Sequence, residues 1–195
     1  MNLPNQLTLL RIVLSVALIL FLLTPGLSAR LAAVGVFGLA AFTDLWDGRI
    51  ARARGIVTDF GVLMDPIADK ILVLSAFLAF VQLGVAPVWM VVAIATREFL
   101  VTGLRLFALG KGSVLPAEAA GKHKTVSQMV TISVTLLFLV VRAWMEERQG
   151  VIRASSPWLG RMEAGVWWLM LGTVVLTLTS GVSFFWRHRR VIRNL

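Results

Sequence analysis

The chain alternates between long apolar stretches and short polar connections. The apolar stretches cover residues 6–23, 31–45, 60–83, 87–109, 125–144 and 164–186. Most of them have the length of a helix that crosses a lipid bilayer, which takes about 20 residues. Proline and glycine punctuate them at Pro25, 84–87 and 110–112, as expected where helices end. The pattern therefore predicts an all-α polytopic membrane protein, a bundle of six transmembrane helices that forms a single domain over residues 1–195.

The composition supports the same class of protein. Of the 195 residues, 58% are hydrophobic and 15% are charged, whereas soluble domains have roughly 45–50% apolar and about 25% charged residues. The mean hydropathy is +0.85. A soluble domain of this size has too little interior to bury so much apolar surface. An ordinary soluble enzyme and a disordered chain are therefore excluded, and the absence of cysteine excludes a disulfide scaffold.

The basic residues predict the orientation of the chain in the membrane. The formal net charge is +9. With the N-terminus in the cytoplasm, ten Lys and Arg residues of the connections and the C-terminal tail fall on the cytoplasmic side and four on the other. Because cytoplasmic loops carry an excess of Lys and Arg, both termini are expected in the cytoplasm. The excess also predicts contact with anionic lipid of the bilayer, and its scattering along the chain argues against nucleic-acid binding.

The acidic residues show a different pattern, since all five Asp residues lie between positions 44 and 69. Asp44 and Asp47 lie at the end of the second apolar stretch, and Asp65 and Asp69 lie near the start of the third. Residues three or four apart share one face of a helix, so each pair forms a stripe. The link between these helices is short, which predicts antiparallel neighbours with facing stripes. Four carboxylates are then expected to meet near the cytoplasmic surface.

Four carboxylates in such a place would repel one another and lose hydration. Divalent cations would neutralise them, and oxygen ligands suit magnesium or manganese. The alternatives are protonation of one or more of the Asp residues and ion pairs with Arg49, Arg52 and Arg54. Metal ions held by carboxylates also stabilise charge in phosphoryl-type displacements. The cluster is therefore a candidate metal site for chemistry on phosphate.

The Asp-rich segment resembles the signature of the CDP-alcohol phosphotransferases. That signature reads D-x-x-D-G-x-x-A-R and, eight or nine residues later, G-x-x-x-D-x-x-x-D. Its fixed positions are occupied here by Asp44, Asp47, Gly48, Ala51, Arg52, Gly61, Asp65 and Asp69. Residues 2–8 resemble the N-terminus of that family. Residues 97–105 and 121–125 resemble the branch that makes phosphatidylglycerophosphate.

The resemblance implies a membrane enzyme, commonly a homodimer, with its active site on the cytoplasmic face of the plasma or inner membrane if bacterial. Such enzymes transfer the phosphatidyl group of CDP-diacylglycerol to an alcohol and release CMP. Two divalent cations, Mg²⁺ or Mn²⁺, would be surrounded by the matching residues Asp44, Asp47, Asp65 and Asp69. Asp69 would also be the general base. The CDP site would comprise Asn5, Gly48, Arg52, Thr58 and Gly61.

If the acceptor is glycerol 3-phosphate, as the resemblance implies, its pocket needs cations for the phosphate. The candidates are Arg97, Arg105, Lys122 and Lys124. Arg97 and Arg105 are eight residues apart and so lie on one side of the fourth span, where an arginine is costly and marks a functional candidate. The structural alternatives are an ion pair of Arg97 with Glu98, snorkelling of Arg105 and, for the two lysines, a role in orientation.

Two other functions remain open from the sequence. The first is the same chemistry with another acceptor: inositol phosphate, phosphatidylglycerol or serine. The second, of a different class, is a small cation transporter or channel with the aspartates as its ion site. That alternative leaves Arg52 beside the carboxylates unexplained. It also predicts acidic residues spread through the membrane, whereas these lie at the ends of two spans.

Overall fold

The computed structural model describes residues 3–54, 59–111, 119–149 and 157–193. These residues form six helices: α1 (Leu3–Leu23), α2 (Leu27–Arg54), α3 (Asp59–Gln82), α4 (Val88–Gly110), α5 (Ala119–Gln149) and α6 (Pro157–Arg193). Within these helices, side chains are described for all residues except 3–8, 44–54, 59–66, 69, 119–120, 122, 149 and 190–193. The predicted all-α class is confirmed over the described part of the chain, which contains no strand.

Each helix contains one of the predicted apolar stretches, apart from the boundary residues Leu83 and Pro87. Several helices are longer than the apolar pattern. α2 runs nine residues beyond Leu45, and α6 runs seven residues beyond Trp186. These extensions are charged but rich in helix-forming residues such as Arg and Ala. The backbone hydrogen bonds therefore continue where the apolar pattern stops, and the Asp-rich segment becomes part of a helix.

The first three helices pack through stripes of apolar side chains at helical spacing. On α1, Leu14, Leu18 and Leu22 are four residues apart and buried. They belong to the same core cluster as Phe77 and Phe80 of α3, whose rings meet edge to face with centroids 6.2 Å apart. α1 contacts both α2 and α3 extensively. It therefore joins the two helices that carry the predicted aspartates.

The other three helices extend the bundle from this core. α5 packs against α6 and α2, and α4 packs against α6 and α3. On α6, Val166, Met170 and Val174 repeat the four-residue spacing and are buried. The hydroxyl oxygens of Thr131 on α5 and Thr173 on α6 are 2.7 Å apart and share a hydrogen bond between helices. Such bonds stabilise helix pairs away from water by roughly 1 kcal/mol each.

Glycines with positive φ reverse the chain at two of the connections. Gly26 (φ 104°) lies between α1 and α2, and Gly84 (φ 72°) follows α3. At the end of α3, the Gly84 amide donates to the carbonyl of Val81, and the Val85 amide donates to that of Phe80. This pair of bonds is a Schellman motif, whose left-handed residue is usually glycine. Both connections coincide with predicted helix breaks.

Among the described residues, two helical segments are long and apolar enough to cross a membrane: His123–Arg148 and Pro157–Arg189, with mean hydropathies of 1.8 and 1.7. The shorter apolar helical segments are Leu9–Leu23, Leu27–Thr43 and Lys70–Gln82. Large apolar side chains such as Trp168 and Trp186 are more than half exposed on the bundle surface. Such a surface suits lipid better than water. The six spans and the cytoplasmic location of both termini stay predictions.

The sequence predicts that the aspartate stripes of α2 and α3 face each other. The side chains of these aspartates are not among the described ones. In the described part of the chain, the extensive contacts of α2 are with α1 and α5, and those of α3 are with α1, α4 and α5. The facing of the two stripes therefore stays a prediction.

Phe77→Ala tests the core formed by α1 and α3. The Phe77 ring is fully buried, so its removal leaves a cavity, and the free energy of unfolding should fall by about 3 kcal/mol or more. Thermal unfolding of the purified protein in detergent measures the change as a lowered Tm. Leu78→Ala is the control, because Leu78 is 57% exposed on the same helix and its truncation should change the Tm little. An equal loss in both variants would contradict the assignment of this core.

Candidate functional site

The helices carry the four aspartates that the sequence predicts as metal ligands. Asp44 and Asp47 lie in the second half of α2, and Asp65 and Asp69 lie in the first half of α3. Their side chains lie outside the described ones. Among the side chains that are described, no group of three or more His, Asp or Glu residues is placed to hold a metal ion. The predicted metal site stays a prediction that rests on these four carboxylates.

The predicted nucleotide residues also fall on the first three helices. The backbone of Asn5 lies in α1, that of Gly48 and Arg52 in α2, and that of Gly61 in α3. Thr58 lies outside the described residues, as do the side chains of Asn5 and Arg52. Their contacts with a nucleotide therefore stay predictions. The side chains that are described form another part of the candidate site.

A cavity of about 530 Å³ is lined by residues of α3, α4 and α5. Its described lining residues are Lys70, Arg97, Glu98, Val101, Thr102, Arg105, Gly121, Lys124, Thr125 and Val126. Eight of these ten belong to the segments 97–105 and 121–125, which resemble one branch of the family. A cavity of this size is typical of small-molecule sites. The fold thus brings two separate motifs onto one candidate binding site.

The centre of the polar wall is the carboxylate of Glu98, which is 1% exposed. Its Oε2 lies 2.9 Å from Nζ of Lys70 on α3. Its Oε1 accepts a hydrogen bond from Nζ of Lys124 on α5. The same oxygen lies 3.2 Å from Nε2 of Gln128 and 3.4 Å from a guanidinium nitrogen of Arg97. Four donors from three helices converge on one buried carboxylate, which is the condition under which a charge is tolerated in an apolar interior.

Arg97 is held from its other side by α6. One of its guanidinium nitrogens donates to Oγ of Ser180, 2.9 Å away. Its aliphatic stem lies against Gly181, where a Cβ atom would come within 2.9 Å of Cγ of Arg97. A Cβ atom essentially never lies so close to another carbon, so the position suits glycine. The glycine gives the arginine the room to reach the cavity.

Arg105 lines the same cavity and is also supported by α6. Its guanidinium carbon lies 5.3 Å from the centroid of the Phe184 ring, which is within the range of a cation–π contact. Phe184 is buried against Val101 and Ala108 of α4. The aromatic ring therefore supports Arg105 in the cavity wall without adding negative charge.

The described cavity lining carries an excess of positive charge. Lys70, Arg97, Arg105 and Lys124 share it with a single carboxylate, that of Glu98, which leaves a formal excess of three positive charges. A phosphate monoester carries about two negative charges at pH 7, and Arg and Lys bind its oxygens by charge-assisted hydrogen bonds. Such contacts strengthen where water is partly excluded. The arrangement therefore suits a small phosphorylated molecule.

The structure places three of the four predicted phosphate-binding residues on one cavity: Arg97, Arg105 and Lys124. The side chain of Lys122 lies outside the described ones. The alternative ion pair of Arg97 with Glu98 is also present, with the closest atoms 3.4 Å apart. The two interpretations are compatible, because the ion pair itself lies in the cavity wall.

Two charged residues of the cavity wall, Lys70 and Glu98, are not among those predicted from the sequence. Each places a charge inside an apolar stretch, which is costly in a membrane-spanning helix and marks a functional candidate. The sequence carries that signal for both residues, each of which adjoins a predicted site residue, Asp69 or Arg97.

Known proteins are similar to this chain along most of its length. Residues 1–188 match the family model described as CDP-alcohol phosphatidyltransferase. A Bacillus subtilis protein named CDP-diacylglycerol–glycerol-3-phosphate 3-phosphatidyltransferase is 43% identical over 148 residues, which cover 70% of this chain and 77% of the relative. A Mycobacterium tuberculosis protein named probable phosphatidylglycerophosphate synthase is 37% identical over 197 residues, which cover 100% and 85%. A Rickettsia typhi protein named like the first is 44% identical over 138 residues, which cover 70% and 76%.

Gly181→Ala tests the support that α6 gives to Arg97. The added methyl would lie 2.9 Å from Cγ of Arg97, so the arginine stem must shift, and the free energy of unfolding should fall by about 1–3 kcal/mol. Gly172→Ala is the control on the same helix, because a Cβ atom there meets nothing within 4 Å. Alanine at that position should maintain or raise stability. Thermal unfolding in detergent measures both variants, and equal Tm values would contradict the close contact.

Proposed function

Since the chain belongs to the CDP-alcohol phosphatidyltransferase family, we propose that it transfers the phosphatidyl group of CDP-diacylglycerol to glycerol 3-phosphate. The products are phosphatidylglycerophosphate and CMP, in the synthesis of anionic phospholipids. Two relatives at 43% and 44% identity have names that state this reaction. The chain is a transferase, and the choice of substrate comes from these names together with the chemistry of the cavity.

The cationic cavity is the observation that carries the choice of acceptor. Glycerol 3-phosphate is small enough for about 530 Å³, and its phosphate would accept charge-assisted hydrogen bonds from the cationic side chains of the wall. An acceptor without a phosphate monoester, such as serine, would not offer these side chains the same charge-assisted hydrogen bonds. Inositol phosphate presents the same phosphate, so turnover with each acceptor decides between the two.

In the proposed reaction, the acceptor phosphate first binds Arg97, Arg105, Lys122 and Lys124. This contact orients a hydroxyl of glycerol 3-phosphate toward the phosphatidyl phosphorus. A bond forms between the hydroxyl oxygen and the phosphorus, and the bond from phosphorus to the CMP oxygen breaks. The hydroxyl proton passes to Asp69, and CMP leaves with the electron pair of the broken bond.

The four aspartates Asp44, Asp47, Asp65 and Asp69 are proposed to hold two divalent cations, Mg²⁺ or Mn²⁺. The chemistry of the donor set fits, because carboxylate oxygens are the ligands that these ions prefer. When bound, the ions would supply positive charge to the phosphate oxygens. Lys70 follows Asp69 on α3 and lines the cavity. The proposed acceptor site and the aspartate segment therefore adjoin along one helix.

The nucleotide is proposed to bind Asn5, Gly48, Arg52, Thr58 and Gly61. The family match over residues 1–188 supports this assignment. Glycine at two of these positions would let CDP come close to the helices. Arg52 would contact the diphosphate, for which the planar guanidinium is suited.

We propose a single-domain integral membrane protein with six spans, its active site and both termini on the cytoplasmic side. The two long apolar helices and the exposed apolar surface support the membrane location. The lysine and arginine distribution of the sequence supports the orientation. A homodimer is proposed from the family resemblance.

The cation transporter or channel is the less favoured function. The family match supports an enzyme. The described cavity lining also places four cationic side chains, Lys70, Arg97, Arg105 and Lys124, beside the carboxylate of Glu98, an arrangement that suits an anion better than a permeating cation.

Asp69→Asn tests the general base. Purified protein with CDP-diacylglycerol, glycerol 3-phosphate and Mg²⁺ or Mn²⁺ should release CMP, and the variant should lose this turnover at least about 100-fold while still binding CDP-diacylglycerol. Asp59→Asn is the matched control, because Asp59 lies in the same segment but outside the family signature. Its turnover should be close to that of the unchanged protein. An active Asp69→Asn enzyme would overturn the assignment of the base.

Arg105→Gln tests the acceptor site. Removing one of the cavity cations should raise the KM for glycerol 3-phosphate about tenfold and leave the KM for CDP-diacylglycerol unchanged. Lys111→Gln is the matched control: Lys111 also lies over an aromatic ring, 5.2 Å from the centroid of Phe107, but it does not line this cavity. Steady-state CMP release at varied acceptor concentration measures both. Turnover with inositol phosphate alone would overturn the proposed acceptor.

A further inference from the structure

Glu98 lies in the wall of a cavity proposed to bind phosphate, although its charge has the sign that a phosphate avoids. We propose that Glu98 is a positioning residue, which fixes Lys70, Arg97 and Lys124 in the arrangement that receives the acceptor phosphate. This inference rests on the proposed function of the cavity. It assigns to Glu98 an action through other side chains, with no contact to the reacting atoms.

The hydrogen bonds of Glu98 argue for positioning over proton transfer. A carboxylate has about four positions for hydrogen-bond donors. Four donor groups approach it here, from Lys70, Arg97, Lys124 and Gln128. Three of them converge on Oε1, and Lys70 approaches Oε2. Donors and cations at this range favour the ionised carboxylate, so Glu98 is poorly suited to accept a proton from an acceptor hydroxyl. Its negative charge instead holds together cations that would otherwise repel one another.

Gln128 shows that the carboxylate itself is held in place. Its side chain is 2% exposed, and its amide nitrogen lies 3.2 Å from Oε1 of Glu98. Gln128 is not among the residues that line the cavity, so it adds nothing to a phosphate site directly. A neutral donor behind the carboxylate fixes the orientation of Glu98, and Glu98 then fixes the cations in front of it.

The three cations differ in how much they need such support. Lys70 and Lys124 have long flexible stems and compact charges, whereas the guanidinium of Arg97 is planar and pre-shaped for phosphate. Lys70 on α3 and Lys124 on α5 approach different oxygens of the one carboxylate. Binding is tighter when such groups are ordered before the ligand arrives, because less side-chain entropy is lost. The negative charge of Glu98 thus weakens the attraction of the cavity for phosphate, but it also holds the three cationic side chains in an ordered arrangement.

Because these two effects act in opposite directions, the direction in which the KM for glycerol 3-phosphate changes in Glu98→Gln decides between them. Glu98→Gln keeps the shape of the side chain and removes its charge, so the cavity becomes more positive but less ordered. We expect the KM for glycerol 3-phosphate to rise about tenfold or more, as when a supporting residue is lost behind a binding site. The kcat at saturating acceptor should stay within about threefold, and the KM for CDP-diacylglycerol should not change.

Two results with Glu98→Gln would overturn the proposal. A lower KM for glycerol 3-phosphate would show that Glu98 acts mainly by repelling phosphate. A large loss of kcat at unchanged KM would show a direct part in the reaction. Glu146→Gln is the matched control, because it removes an exposed carboxylate paired with Arg142 at 3.0 Å on α5, and its kinetics should equal those of the unchanged protein.

Gln128→Met keeps the test decisive if Glu98→Gln does not fold. Methionine has nearly the volume of glutamine and removes the donor behind the carboxylate while the charge of the cavity stays the same. The KM for glycerol 3-phosphate should rise about threefold, with kcat and the KM for CDP-diacylglycerol unchanged. A folded Gln128→Met enzyme with the original KM would overturn the positioning role.

The unchanged protein in the same assay separates this inference from the proposed function. If it releases no CMP with glycerol 3-phosphate, the proposed function fails, and the positioning role fails with it. If it turns over normally and the KM of both variants is unchanged, only the positioning role fails. A KM that rises in both variants, more in Glu98→Gln than in Gln128→Met, supports the proposal.

Discussion

A buried carboxylate that accepts hydrogen bonds from three helices is the contact on which the site depends. Apolar side chains alone do not specify how helices meet in lipid, because lipid tails solvate them as well as other helices do. Charged groups in the same place must find partners, since an unpaired charge is too costly. The contacts of Glu98 with Lys70 and Lys124 join α4 to α3 and α5. The requirement to pair one charge therefore brings together the helices that form the cavity.

The remaining helix of this region supports the site in a different way. α6 contributes no charged side chain to the described cavity lining, but three successive features of it face the arginines of α4. A hydroxyl at Ser180 and a ring at Phe184 contact them, and Gly181 leaves space between. Neutral contacts of this kind orient a cation without adding a negative charge. Both arginines are therefore contacted by neutral groups of α6, and Arg97 is in addition paired with Glu98.

The sequence predicts the helices well, because apolar periodicity and glycine or proline breaks are local properties. It also places Arg97 and Arg105 on one side of α4, since residues eight apart share a helix face. The link from Arg97 to Lys124 follows only from family resemblance, and the structure then shows both on one cavity. The roles of Glu98 and Gln128 could not be predicted, because they depend on which helices pack together. The aspartate stripe predicted at the end of α2 requires a helix as far as Arg52, and α2 continues to Arg54.

The close fit of Arg97 against Gly181 also limits how α6 can slide along α4. A shift of α6 by one helical turn would bring Thr177 or Phe185 to the position that Gly181 occupies, because residues four apart lie above one another. Neither side chain leaves the space that the arginine stem fills. The absence of a side chain at Gly181 thus helps to set the register of α6, a helix of 37 residues, against α4. The packing of the Arg97 stem against Gly181 therefore restrains the position of α6 along its own axis.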